Sequence, residues 1–245
     1  MTTTRRSGRT APRTPADPLH RRKWVVPAGL ILLGLIPMLA GAARLTELAG
    51  APEVTEQNAR FVEFPVPVVL HILGATLYTL LGAFQFVPSL RQGRTWHRRA
   101  GRILFPAGLV AALTGLWMAC FSALPPSDGP LLLTFRLLFG TGMVLSLLLG
   151  FRAVVRGNIR AHGAWMTRAY AIGLGAGTQA LILIVPEVLG SSPGETLRAL
   201  LMGAGWLVNL VVAEMVIRRR VRTSVPRRSP GALRSPPVDL PPVPR

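Results

Sequence analysis

The stretch LLLTFRLLFGTGMVLSLLLGFRAV, from Leu131 to Val154, carries two charged side chains, Arg136 and Arg152, in a run long enough to cross a bilayer. About 20 apolar residues rising roughly 1.5 Å each span the hydrocarbon of a membrane, where a chain must satisfy its own backbone hydrogen bonds. The stretch therefore reads as a transmembrane helix. Five more apolar runs flank it: about Trp24 to Leu45, Pro65 to Leu90, Arg102 to Leu124, Met166 to Leu189 and Leu197 to Ile217. The sequence predicts an all-α, polytopic integral membrane protein folded as a six-helix transmembrane bundle.

Composition points the same way. The 245 residues are 50% hydrophobic and 16% charged, with a mean hydropathy of +0.42, against about 25% charged in a soluble domain. Such a chain lacks the polar surface of a soluble globule. A net charge of +18 would suggest nucleic acid in a soluble chain. Here the basic residues stand between and beyond the apolar runs, so the expected partners are membrane lipids and not nucleic acid. The single cysteine, Cys120, excludes a disulfide framework and a cysteine-based metal cluster, and reads as a packing residue inside span three.

The charges orient the bundle. All but four of the 28 basic residues lie in the two tails and in the connections after spans two and four; the exceptions are Arg44, Arg60, Arg136 and Arg198. Those four segments carry only Asp17 and Asp239 as acids, whereas the other connections carry Glu47, Glu53, Glu56, Glu63, Asp128, Glu187 and Glu195. The positive-inside bias then places both termini in the cytoplasm and the protein in a bacterial inner membrane. Arg21-Arg22-Lys23 ahead of an apolar run ending in Ala40-Gly41-Ala42 resembles a signal peptide. A run of about 20 residues is long for that role, so span one is read as an uncleaved helix. Residues 1–23 and 221–245, rich in arginine and proline, read as disordered tails around a transmembrane domain of residues 24–220.

Ionisable groups inside a bilayer are functional candidates by default. They are His71 in span two, Arg136 in span four and Glu214 in span six, with Gln85, Gln179 and Asn209 as neutral company. Helical spacing puts His71, Tyr78, Gly82 and Gln85 in one stripe facing the bundle interior. His71 and Arg136 lie at similar depth from the acidic side and are read together as an outer site for an electron acceptor, a quinone or a second cofactor. Glu214 reads as a local ion pair with Arg218, four residues on. Gly173, Gly175 and Gly177 in span five favour tight packing or room for a flat ligand.

His97 and His162 form the sharper pattern. Each stands at the basic mouth of a span, in Trp96-His97-Arg98-Arg99-Ala100-Gly101-Arg102 and in His162-Gly163-Ala164-Trp165-Met166-Thr167-Arg168. Two imidazoles at one depth can ligate a haem iron axially, while Arg98, Arg102, Arg160 and Arg168 neutralise its propionates. The bland reading makes both histidines ordinary interfacial residues. No Walker, Rossmann or HExxH pattern marks an enzyme.

At His71 with Gly74, Gly82-Ala83-Phe84-Gln85-Phe86, Leu90-Arg91, His97-Arg98, Gly101-Arg102, His162, Trp165-Met166, Arg168 and Tyr170-Ala171, the chain resembles a bacterial membrane-protein family called domain of unknown function 2306. That family implies a membrane protein and no particular reaction. A weaker resemblance is to six-helix, two-haem cytochromes b, in which spans two and four supply one histidine pair and spans three and five the other. His97 and His162 match the second pair and His71 one member of the first, but span four has Arg136 and no histidine. The resemblance thus implies one bis-histidine haem b at most, or an outer haem with one protein ligand.

Two functional classes follow. In the first, the chain is a haem-binding transmembrane electron-transfer protein, with His97 and His162 as iron ligands and Arg98, Arg102, Arg168, Gln85, His71 and Arg136 as further cofactor-binding residues. In the second, it is a non-enzymatic transporter or membrane assembly factor, with His71, Gln85 and Gln179 lining a polar path or joining helices. A second copy of the chain is a further expected partner in either class. The charge partition makes the topology testable: reporter fusions after Leu90, Val154 and Arg220 should read cytoplasmic, and fusions after Gly50 and Ser127 external. An external signal from the connection before His97 would overturn it.

Overall fold

The computed structural model describes residues 18–55, 58–92, 94–123, 125 and 127–223. Nine helices occur among them: α1 (Pro18–Ala49), α2 (Ala59–Val62), α3 (Val66–Phe84), α4 (Pro88–Gln92), α5 (Arg94–Phe121), α6 (Pro130–Val155), α7 (Ile159–Gly173), α8 (Gly175–Val188) and α9 (Glu195–Thr223). Six stretches are long and apolar enough to cross a membrane, α7 and α8 together forming the fifth. The all-α, six-span expectation holds. The expected disordered tails fall mostly outside the described residues; residues 18–23 and 221–223, read as tail, are helical.

The span limits differ from the hydropathy limits for local reasons. Span two stops at Phe84 and not at Leu90, because Pro88 cannot donate to a helix ladder. The chain tightens first, with Gln85 N–H donating to Gly82 O at 3.0 Å and Val87 N–H to Phe84 O at 3.1 Å. Span three starts at Arg94, well before Arg102, since long polar side chains at a helix end can reach water while their stems stay helical. His97 and His162 accordingly lie inside α5 and α7 and not ahead of them.

Packing follows chain order and closes on itself. α3 packs on α5, α5 on α6, α6 on α7, and α9 on α6, α7 and α8, while α1 joins α3 to α8. The core lies around Tyr78, Leu104, Met143, Leu147, Ala169 and Tyr170. Large apolar side chains such as Val25, Leu32 and Leu39 on α1, Leu138 on α6 and Leu207 on α9 are exposed, as lipid-facing surfaces require. Cys120 is exposed as well, so it belongs to that outer surface and does not have the packing role expected of it.

Between helices in lipid, close backbone approach takes the place of a hydrophobic drive. At Gly74 an added Cβ would sit 2.9 Å from Ala107 O and 3.2 Å from Ala111 N of α5. Backbone cannot swing aside as a side chain can. Gly74→Leu is therefore expected to cost about 1–3 kcal/mol in equilibrium unfolding from mixed micelles. Gly29→Ala, with open space around its Cβ, should stay within about 0.5 kcal/mol of the parent protein.

Candidate functional site

Two residues past the end of α6, Gly157 turns the chain with a φ of 73°, a conformation that glycine reaches without strain. The Asn158 side chain then caps α7, accepting from Ala161 N–H at 3.0 Å. That start sets His162 in the first turn of α7, against Gly150 of α6. Gly150 has no side chain to hold off Trp165 and Met166, and its carbonyl accepts from His162 Nδ1 at 2.9 Å. Since a carbonyl only accepts, Nδ1 carries a proton, and in the neutral ring Nε2 is the nitrogen with the lone pair.

His162 and His97 both line one cavity of about 470 Å³ at the arginine-rich end of the bundle, within the range of small-molecule sites. Its walls are mostly apolar, with Leu104, Leu147 and Met166 beside Phe105 and Phe151, whose rings stack 4.7 Å apart. Arg98, Arg102 and Arg220 belong to its lining. Gln85, at the end of α3, contributes a side-chain amide whose oxygen and nitrogen are both buried with no hydrogen-bond partner among the described residues. A buried amide without partners marks a place for a ligand or water.

A second cavity of about 400 Å³ lies toward the other end, and Tyr78 borders both. His71 and Arg136 line it together. His71 Nδ1 donates to Ala111 O at 2.8 Å, with the Thr114 hydroxyl 3.5 Å away. Arg136 reaches Asp128 at 2.5 Å, and Arg198 meets the other oxygen of the same carboxylate at 3.2 Å. The Asp128 side chain is 3% exposed. This arginine–aspartate–arginine cluster ties the start of α6 to α9.

The residues expected to bind a cofactor thus fall into two groups. His97, His162, Gln85, Arg98 and Arg102 share the first cavity, and His71 and Arg136 the second. Arg168 is engaged elsewhere: it forms a two-point pair with Glu214 of α9 at 2.5 and 3.1 Å and lies over the Trp165 ring at 4.7 Å. That pair corrects the reading of Glu214 with Arg218, because α7 brings a closer cation than the next turn of α9. The polar stripe of span two holds, with Tyr78 and Gly82 buried and His71 and Gln85 on cavity walls. Asn209 and Gln179 act between helices: Asn209 accepts from Thr178 at 2.8 Å and donates to Ala171 O at 3.1 Å, and Gln179 donates to Met202 O at 2.9 Å.

Among the described residues no group of three or more His, Cys, Asp or Glu gathers as a metal site. Sequence reasoning missed Arg220, Tyr170 and Arg60. Arg220 sits in a run of arginines that nothing in the sequence ranks, and Tyr170 shows its role only through its hydroxyl, which donates to Thr79 O of α3 at 2.8 Å.

The family model described as a predicted membrane protein, DUF2306, matches residues 68–217, which supply most of the lining of both cavities but not Arg60 or Arg220. No curated protein matches the chain, and neither does any solved structure. The Asp128 cluster makes a prediction independent of function. Asp128→Ala leaves two arginines facing each other without their anion. A loss of about 3 kcal/mol is expected, the low end for a broken buried pair because the arginines are partly exposed. Unfolding in mixed micelles measures it, and a loss under about 1 kcal/mol would show the cluster to be solvated.

Proposed function

We propose, for a chain that belongs to the DUF2306 family of predicted membrane proteins, that the cavity at the arginine-rich end binds haem b and that the protein carries electrons within the membrane. The observation that carries the reading is the meeting of His97 and His162, from α5 and α7, on the wall of one apolar cavity with arginines in its lining. The residues suit the group. His162, its ring held by the hydrogen bond from Nδ1 to Gly150 O, would offer Nε2 to an iron. Because a porphyrin brings its own nitrogen donors, His97 and His162 would be the residues to hold its iron.

Each lining residue then has a task. Leu104, Leu147, Phe105 and Phe151 exclude water from the macrocycle and lower the local dielectric. Arg98 and Arg102, exposed and with no ion pair among the described residues, compensate carboxylates at the cavity mouth. The Gln85 amide offers a donor and an acceptor to the ligand's polar edge. Bound haem supplies reversible one-electron chemistry. Phe86, Tyr170 and Tyr78, with ring centroids 5.2 and 5.7 Å apart, continue from this cavity to the border of the second, and so support electron passage toward the bundle centre.

Protein expressed with supplied haem and purified in detergent should show a Soret band. The band should be lost in His97→Ala and in His162→Ala, with helical content unchanged by circular dichroism. Gln85→Leu should keep the band while shifting the midpoint potential, since it removes a polar neighbour and not a ligand. A colourless parent protein would remove the haem reading. The transporter or assembly class would then take its place, with His71 and Gln179 as helix-joining groups.

A further inference from the structure

The second cavity is built differently from the first. Met38, Met118, Met143 and Met202 line it with Ile72 and Trp206, giving a pliable apolar wall of the kind that accepts flexible chains. Its polar lining includes His71, Arg136 and Arg60. Arg60 belongs to the short α2, between spans one and two.

Among the described residues, the carboxylates on this side of the bundle are already taken or turned to solvent. Asp128 is shared by Arg136 and Arg198. Glu47 holds Arg44 at 2.6 Å and accepts from Asn58 at 2.9 Å. Glu53, Glu63 and Glu195 are exposed, and none forms an ion pair among the described residues. Arg60 donates through Nη1 to Ala123 O at 3.3 Å and stacks over Phe61 at 4.4 Å. Its Nε is buried with no acceptor among the described residues. Burial holds its pKa below the ordinary arginine value, Asp128 opposing and Arg136 and Arg44 assisting. A guanidinium nonetheless stays charged in proteins. A buried guanidinium N–H with no acceptor among the described residues, in the wall of a cavity shared with a second arginine, is suited to an anion.

We propose that this cavity binds a single-chain amphiphile with an anionic head, the head accepting from Arg60 beside Arg136 and the chain lying against the methionine-lined wall. The head is a carboxylate, as in a free fatty acid, or a phosphate, as in a lysophospholipid; the charge and the single chain are common to both. A cavity of about 400 Å³ falls within the size range of small-molecule sites. The amphiphile cavity and the proposed haem cavity share only Tyr78 among their lining residues.

The test uses the full chain in nanodiscs of zwitterionic lipid, with radiolabelled palmitate, lysophosphatidate and methyl palmitate as probes. One saturable site is expected for at least one of the two acids, and the tighter of them identifies the head. Methyl palmitate, equal in chain and neutral in head, should bind at least about tenfold more weakly. Arg60→Gln should weaken acid binding at least about tenfold and Arg60→Lys less, while Ala75→Phe, on the cavity wall, should block binding by filling space. Thermal unfolding of each variant shows that it is folded. Equal binding of ester and acid, parent affinity in Arg60→Gln, stronger competition by a neutral short-chain quinone, or no saturable binding would overturn the proposal. His97→Ala should leave palmitate binding unchanged, so loss of the haem reading and loss of this one are separately visible.

Discussion

The ring of Tyr78 between two glycines is the contact on which the interior depends. A Cβ at Gly108 of α5 would stand 2.7 Å from that ring, and one at Gly173, at the end of α7, 3.1 Å from it. Three spans can converge on one aromatic side chain only because two of them offer bare backbone. Helices surrounded by lipid gain little by hiding apolar surface from one another, so their association rests on such close fits. The same device recurs nearby, where Gly82 of α3 leaves room for the Tyr170 ring. With both rings in place the bundle centre is filled, and its remaining space is divided into two cavities with Tyr78 between them.

The fifth span is interrupted at Leu174. α7 ends at Gly173 and α8 starts at Gly175, yet the backbone stays paired through the break: Leu174 N–H donates to Tyr170 O and Gly177 N–H to Leu174 O, each at 3.0 Å. Paired backbone is what hydrocarbon demands at a helix break. The two halves then face different neighbours, α7 packing chiefly on α6 and α9, and α8 on α9 and α1. Gly177 lies against the Leu33 carbonyl of α1, and Gly175 against the Trp206 indole of α9. Of the two expectations for these glycines, the structure shows tight packing.

The spans were legible because hydrophobicity over about 20 residues is set by the solvent that surrounds them, not by tertiary detail. The stripe of His71, Tyr78, Gly82 and Gln85 was legible because helical periodicity is a local property. What periodicity lacks is the partner across a gap. Glu214 has Arg218 one turn away in sequence and Arg168 closer in space, and only the placement of α7 decides between them. Asp128 looked like one acid among several in a connection. Its burial under Arg136 and Arg198 depends on where α9 begins, a fact with no signature in residues 125–136. The break at Leu174 was hidden likewise, since glycines at alternate positions suit a continuous packed helix as well as an interrupted one.

The two ends treat their arginines in opposite ways, and the difference follows from what is near them. Toward the second cavity, Asp128 neutralises Arg136 and Arg198 internally, and Glu47 does so for Arg44. At the other end, the described part of α5 offers no acid near Arg98 and Arg102, and Glu214 is already held by Arg168. An exposed arginine at a membrane surface is solvated by water and anionic headgroups. It therefore loses little by exchanging those partners for the acidic groups of a ligand seated in the adjoining apolar cavity. Asp128 imposes the reverse condition, because an anion that captured Arg136 or Arg198 outright would have to strand a buried carboxylate. Arg60, whose Nε has no acceptor to give up among the described residues, escapes that penalty, so the anion proposed for that cavity would fall to it and not to the better-paired Arg136.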